Sequence, residues 1–149
     1  MAEIKISPML KSDACQLAEI DRVVFGGTFK AEDFLNYLES PIYYFNVAKI
    51  DDRAVGYIGY IIIAGECDII NIGVLPEHRG IGIGNMLMDA MIDELVKSKA
   101  TCVHLEVRKS NFRAISLYEK YGFKATGVSK NHYKEPTEDA IRMKLCLLT

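Results

Sequence analysis

The stretch NIGVLPEHRGIGIG, Asn71 to Gly84, limits the fold more than any other part of the chain. An apolar, strand-like run ends at Pro76. Glu77, His78 and Arg79 follow, and then glycines at every second position, Gly80, Gly82 and Gly84. The next segment has apolar positions Ile83, Met86, Leu87, Ala90, Met91 and Leu95, which form one stripe of a helix running to about Lys99. A further strand pattern, Thr101–Val107, comes directly after it. Strand, helix and strand in that order predict a parallel crossover, right-handed because of strand twist. The glycines sit where the first strand hands over to the helix.

The other periodicities fill in the frame. A short strand, Glu3–Ser7, is stopped by Pro8. A helix opens near Ser12-Asp13, with Ala14, Leu17, Ala18, Ile20 and Val24 at helical spacing, and FGGTF (Phe25–Phe29) breaks it. A second helix, Lys30–Glu39, ends before Pro41. Strands Tyr43–Ile50 and Ala54–Ala64 read as a hairpin turning at Asp51–Arg53, without the glycine of the commonest short turns. A strand at Cys67–Val74 leads into the glycine loop. Beyond the crossover come a helix at Asn111–Tyr121, closed by Gly122, and strands near Phe123–Ser129 and Ala140–Cys146. The order β-α-α-β-β-β-α-β-α-β-β predicts one mixed α/β domain over residues 1–149.

Composition narrows the partners. The chain has 149 residues, half of them hydrophobic, which suits one domain with its own core. A net charge of −2 argues against a general nucleic-acid binder. The longest apolar run, near Tyr57–Ala64, is too short to cross a membrane, and MAEIKISPML lacks a secretory core. The expectation is a cytoplasmic protein with neither a membrane nor a nucleic-acid partner. Cys15, Cys67, Cys102 and Cys146 stand in apolar contexts and read as reduced core residues. His78, His104 and His132 are too dispersed for a metal motif, and no metal is expected.

A helix start carries free N–H groups and partial positive charge, and glycine lets an anion approach the backbone. The loop therefore suits a phosphate; by itself it also fits a tight turn that binds nothing. Two standard phosphate loops fail on spelling. A P-loop needs Lys-Ser/Thr after its last glycine, but Asn85-Met86 follows Gly84. A dinucleotide loop needs G-x-G-x-x-G, whereas this one reads G-x-G-x-G.

The spelling that does fit is Arg/Gln-x-x-Gly-x-Gly/Ala, met by Arg79, Gly82 and Gly84. It resembles the acetyl-CoA pyrophosphate loop of the GNAT superfamily of N-acetyltransferases. LEVRKSNFRAISLYEKYGF (Leu105–Phe123) and NHYKEPTEDAIRMKL (Asn131–Leu145) are similar to the protein N-terminal acetyltransferases of the ribosomal-protein-alanine type. The similarity runs from about Val55 onward. It implies a central mixed, mostly antiparallel sheet flanked by helices, with two strands splayed to admit acetyl-CoA. Ile72, Gly73 and Val74 would offer backbone groups to the acetyl and pantetheine portions. Arg79, Gly80, Ile81, Gly82, Ile83, Gly84 and Asn85 would wrap the pyrophosphate. Asn111 would touch the cofactor, Glu106 would be the general base and Tyr118 the general acid.

Each residue also has a plainer reading. Alternation puts Val103, Leu105 and Val107 on one face of a strand and Cys102, His104 and Glu106 on the other, where Glu106 fits a solvated rim. Tyr118 shares a helix stripe with Ile115 and Tyr121 and fits a core. Asn111 fits a helix cap. Arg108 and Lys109 fit ordinary surface charge. Tyr133 matches a position that relatives place over the incoming peptide, and equally fits an exposed hairpin aromatic. Glu138-Asp139 fits either an amine site or a solvated pair. Relatives often carry Pro-Trp between the first two helices; here VVFGGTF stands instead, so Phe25 or Phe29 would supply the aromatic in a mobile loop.

The chemistry agrees with these residue types. An N-terminal amine, with pKa about 7.7–8.0, is partly neutral near neutral pH, so a carboxylate base suffices. The implied activity is acetyl-CoA-dependent acetylation of a protein N-terminal amine by direct attack, with no metal. The acceptor could be a ribosomal protein, and the protein a monomer or homodimer. A small-molecule amine as acceptor, and a non-catalytic acetyl-CoA-binding module, are the competing readings.

Overall fold

In the computed structural model, which describes residues 2–147, the elements run β1 (Ile4–Pro8), α1 (Ala14–Phe25), α2 (Ala31–Leu38), β2 (Tyr43–Ile50), β3 (Arg53–Ile63), β4 (Glu66–Val74), α3 (Ile83–Lys97), β5 (Cys102–Arg108), α4 (Phe112–Lys120), β6 (Lys124–Tyr133) and β7 (Glu138–Cys146). All seven strands form one sheet in the order β1-β2-β3-β4-β5-β7-β6. Every neighbouring pair is antiparallel except β4 with β5, the two strands joined through α3.

Alternation along the central strands divides the core. On β3, Tyr57 faces one side, with Leu17, Ile20 and Phe34 of α1 and α2. Its neighbours Ile58 and Tyr60 face the other, with Ile83, Leu87, Met88, Met91 and Leu95 of α3. The buried stripe of α3 differs in one respect from the sequence expectation: Met88 is fully buried, while Met86 and Ala90 are half-buried. The helix lies across several strands, so its contact face is wider than a single stripe.

Both early hairpins use two-residue turns. Ile50 pairs with Arg53, and the intervening Asp51 and Asp52 have φ of 50° and 64°. Aspartate tolerates this left-handed region, so the turn closes without glycine. Near the start of α1, the buried Asp13 accepts a hydrogen bond from the Leu10 amide at 2.8 Å and pairs with Lys49 on β2 at 2.7 Å. That pair ties the first helix to the sheet.

Two expectations need correction. The last hairpin is longer than the apolar pattern suggests: β6 continues to Tyr133 and β7 begins at Glu138. β6 is the sheet edge and is mostly exposed, so Lys130, Asn131 and His132 show no apolar alternation. The cysteines are all free, but only Cys67 is a core residue. Cys15 lies on the outer side of α1. Cys146 lies past Lys144, where β6 no longer covers β7.

Candidate active site

The parallel pair is short. β4 and β5 are in register only at Glu66–Cys102, Cys67–Val103 and Asp68–His104. Beyond that point β4 stays with β3 and β5 stays with β7, so the two strands part. A bulge adds to the divergence: Gly59 pairs with Asn71 and Tyr60 with Ile69, leaving Ile70 as the extra residue on β4. The opening is a cleft of ≈ 660 Å³, lined by Phe25, Ile72, Glu106, Asn111, Tyr118 and Tyr133 among others. Six of the residues expected at the site thus meet in one space, although 61 positions separate Tyr133 from Ile72 (133 minus 72).

Gly73 and Val74 continue β4 toward the glycine loop. Gly80 and Gly82 have φ of 83° and 93°, with open space where a side chain would stand. Gly82 caps α3, and no side chain accepts from the first-turn amides. The N–H groups of Ile83, Gly84 and Asn85 therefore point outward, in a geometry suited to an anion. Gly84 differs from its two neighbours: a Cβ there would make ordinary contact with Leu117. Arg79 donates from Nε to the Val74 carbonyl at 2.9 Å, which folds it back over the end of β4. Burial and the nearby Arg113 pull its pKa down, so two cations flank the loop. Asn85 is held by Lys120 through its side chain and by the Tyr121 hydroxyl through its carbonyl, at 3.3 and 2.9 Å. The exposed stretch Arg79–Ile81 thus sits between fixed ends.

Glu106 points to the open face of β5, as alternation requires, with His132 Nδ1 3.3 Å from its Oε2. Arg142 is its register partner on β7 and also lines the cleft. Tyr118 is only 6% exposed, against Phe123, and burial, then Tyr133, pushes its phenol well above the ordinary tyrosine range. It is therefore a neutral proton holder across the working pH range. Asn111 caps α4, its Oδ1 accepting from the Ala114 amide at 3.2 Å, and it still lines the cleft.

Tyr133 does not hang free. Arg108 lies 4.4 Å from its ring centroid and donates to the carbonyls of Pro136 and Lys134 and to Glu138. Glu138 also accepts from the Ser110 amide, and Asp139 from the Asn131 amide. Arg108, Glu138 and Asp139 are thus the frame of the β6–β7 turn. Neither acid stands ready for an incoming amine, because both are already engaged.

The α1–α2 loop separates its two phenylalanines. Phe25 lies over Gly73, where a Cβ would come within 3.0 Å of its ring. Phe29 does not line the cleft; it packs edge-on against Phe34 and Tyr37. Asp21, missed by the sequence reading, explains the difference. Fully buried, it accepts from the Phe29 amide at 2.8 Å and lies 3.5 Å from the Tyr57 hydroxyl, which in turn accepts from Asn71 Nδ2 at 3.3 Å. Burial raises the Asp21 pKa against these stabilising donors. An aspartate on an otherwise apolar helix face was the available signal. Gly26 and Gly27 terminate α1, with their amides on the Arg22 and Asp21 carbonyls.

A sheet that splits beside a bare helix start leaves a cleft with an end suited to an anion, and Glu106 and Tyr118 both stand in it. The chain belongs to the acetyltransferase (GNAT) family, which matches residues 14–123. A Bacillus subtilis protein provisionally named ribosomal protein bS18-alanine N-acetyltransferase is 32% identical over 136 residues, covering 91% of this chain and 90% of its own. An N-alpha-acetyltransferase of Sulfurisphaera tokodaii is 32% identical over 154 residues, covering 95% of this chain and 92% of its own. The crystal structure of the ribosomal-protein-S18-alanine N-acetyltransferase from Escherichia coli matches with a TM-score of 0.89 and 27% identity, over 99% of this chain and 96% of that one. The protein is an N-acetyltransferase, and acetyl-CoA is the acyl donor of its family. Among the described residues, no helix is long and apolar enough to cross a membrane.

Proposed function

We propose that this protein transfers acetyl from acetyl-CoA to the α-amine of a protein N-terminus, with ribosomal protein N-termini as the leading acceptors. The observation that carries the reading is the meeting of Glu106 and Tyr118 in the cleft between β4 and β5. The names of relatives matched along nine-tenths of the chain support the acceptor class. In this reading the pyrophosphate lies on the amides of Ile83, Gly84 and Asn85, with Arg79 and Arg113 nearby. Ile72, Gly73 and Val74 line the pantetheine arm, and Asn111 borders it. The N-terminus enters past Phe25 and Tyr133. Its nitrogen bonds to the acetyl carbon, the carbon–sulfur bond breaks, the amine proton passes to Glu106, directly or through water, and Tyr118 protonates the departing thiolate.

The test uses purified protein, acetyl-CoA and short peptides that differ in their first residues, with thiol release followed and mass spectrometry locating the acetyl group. Acetyl on the α-amine of a few N-termini is the expected outcome. Acetylation of free small amines alone would overturn the acceptor assignment. Gly82→Ala tests the loop: a left-handed alanine costs about 1–2 kcal/mol, so the loop should relax away from the φ of 93° that aims its amides, and acetyl-CoA binding by calorimetry should weaken roughly tenfold. Unchanged binding would remove Gly82 from the cradle.

A further inference from the structure

Below the split, where β4 and β5 are still paired, three unlike donor groups converge. Glu66 stands in register with Cys102, and His104 is two residues further on the same face of β5. One ligand atom from each lies within 4.8 Å of the others. His104 Nε2 and Glu66 Oε1 are already 3.1 Å apart. Sequence spacing hides this group, because 36 positions separate Glu66 from Cys102 (102 minus 66) and only the parallel register joins them.

Cys146 is the register partner of Cys102 on β7. The Leu147 amide donates to the Thr101 carbonyl at 2.8 Å, which places Cys102 and Cys146 at the close, non-hydrogen-bonded position of the ladder. Cα atoms of such pairs are about 4.5 Å apart and their side chains share a face. On the other side, the Thr101 amide donates to the Gly65 carbonyl at 2.7 Å. All four donors therefore rest on strand backbone that is hydrogen-bonded at both flanks.

We propose that Glu66, Cys102, His104 and Cys146 form a zinc site. Two thiolates, an imidazole and a carboxylate match the tetrahedral nitrogen- and sulfur-rich sets that zinc takes. Calcium and magnesium, which want oxygen, are poorly served by this set. From zinc–ligand bond lengths, ligand atoms around a tetrahedral ion lie roughly 3.3–3.8 Å apart. The Glu66–His104 pair is near that already and Cys102 lies within 4.8 Å of both; Cys146, on the same face, joins them by turning its Sγ toward Cys102. The ion would clamp β4, β5 and β7 together at the root of the cleft, two residues along β5 from Glu106. The inference is independent of the acceptor proposed above.

The experiment uses the full chain, reduced and stripped of metal by a chelator. Zinc is titrated against a chromogenic chelator, and cobalt is added separately to read its absorption spectrum. We expect one zinc per chain, a thiolate-to-cobalt charge-transfer band, and a rise in melting temperature on zinc addition. Cys102→Ser should abolish most of the band, and His104→Ala and Cys146→Ser should each weaken zinc binding at least ~10-fold. Metal-free Cys102→Ser should keep its far-ultraviolet dichroism and its acetyl transfer, so a lost band cannot be blamed on misfolding. Sub-stoichiometric zinc, a cobalt spectrum without the thiolate band, or wild-type zinc affinity in Cys102→Ser and His104→Ala would overturn the site. Unchanged affinity in Cys146→Ser would overturn the four-ligand set.

Discussion

Glu106→Gln should lower kcat by about 10²- to 10⁴-fold, the usual worth of a positioned general base. The KM for acetyl-CoA should change little, because the amide keeps the size of the carboxylate and the glycine loop is untouched. Residual activity should climb with pH, as the acceptor amine loses its proton to solvent instead of to the enzyme. Tyr118→Phe should leave the same buried volume and remove only the proton donor. Its loss should fall on kcat and shrink for thioesters whose thiol is more acidic, since a better leaving group needs less help. Steady-state kinetics across pH, with two acyl donors, separates the two roles. If Glu106→Gln retained full kcat at neutral pH, the base would have to be sought elsewhere in the cleft, with His132 the adjacent candidate.

Asp21→Ala should be the most damaging single change outside the chemistry, lowering stability by about 2–4 kcal/mol. It leaves the half-buried Phe29 amide without its acceptor and takes from the Tyr57 hydroxyl the group it donates to, though that hydroxyl keeps its bond from Asn71; each lost partner costs about 1–3 kcal/mol. Asp21→Asn should cost much less, because its carbonyl oxygen can still accept from Phe29. The two forms differ in pH dependence. Burial raises the folded-state pKa of Asp21, so the folded protein holds that proton more tightly than the unfolded chain does. The stability this contributes is complete below the ordinary carboxylate pKa, about 3.9, and is lost as pH rises through the raised value. Denaturant unfolding of wild type and Asp21→Asn should therefore diverge as pH rises through that window, with the asparagine form gaining. Parallel curves would show that the carboxylate is not the titrating group. The Ala variant should also raise the acceptor KM, since Phe25 reaches the cleft from the last residue of α1, next to the segment that Asp21 holds.

These two predictions draw on different kinds of information. The faces of Glu106 and Tyr118 were legible in the chain because each lies inside a regular element; the roles proposed for them rest on the resemblance. Strand alternation gives Glu106 its face, and the helix stripe gives Tyr118 its inward direction. Gly80 and Gly82 were legible for a related reason: a positive φ at a strand-to-helix junction leaves few residue types. Phe29 was not, because loop direction depends on a hydrogen bond to a residue eight positions earlier. Arg108 read as ordinary surface charge, and Glu138-Asp139 as either an amine site or a solvated pair, until the β6–β7 turn folded back on them.

What the sequence determined by itself is therefore the set of elements, the strand–helix–strand order and the glycines between β4 and α3, all of which follow from patterns only a few residues long. Tertiary structure decided where β4 leaves β5, which phenylalanine reaches the cleft, and that Glu66, Cys102 and His104 share one corner. The physical reason is register. Pairing between strands far apart in the chain is set by the packing of the whole sheet against its helices, and no local pattern encodes it.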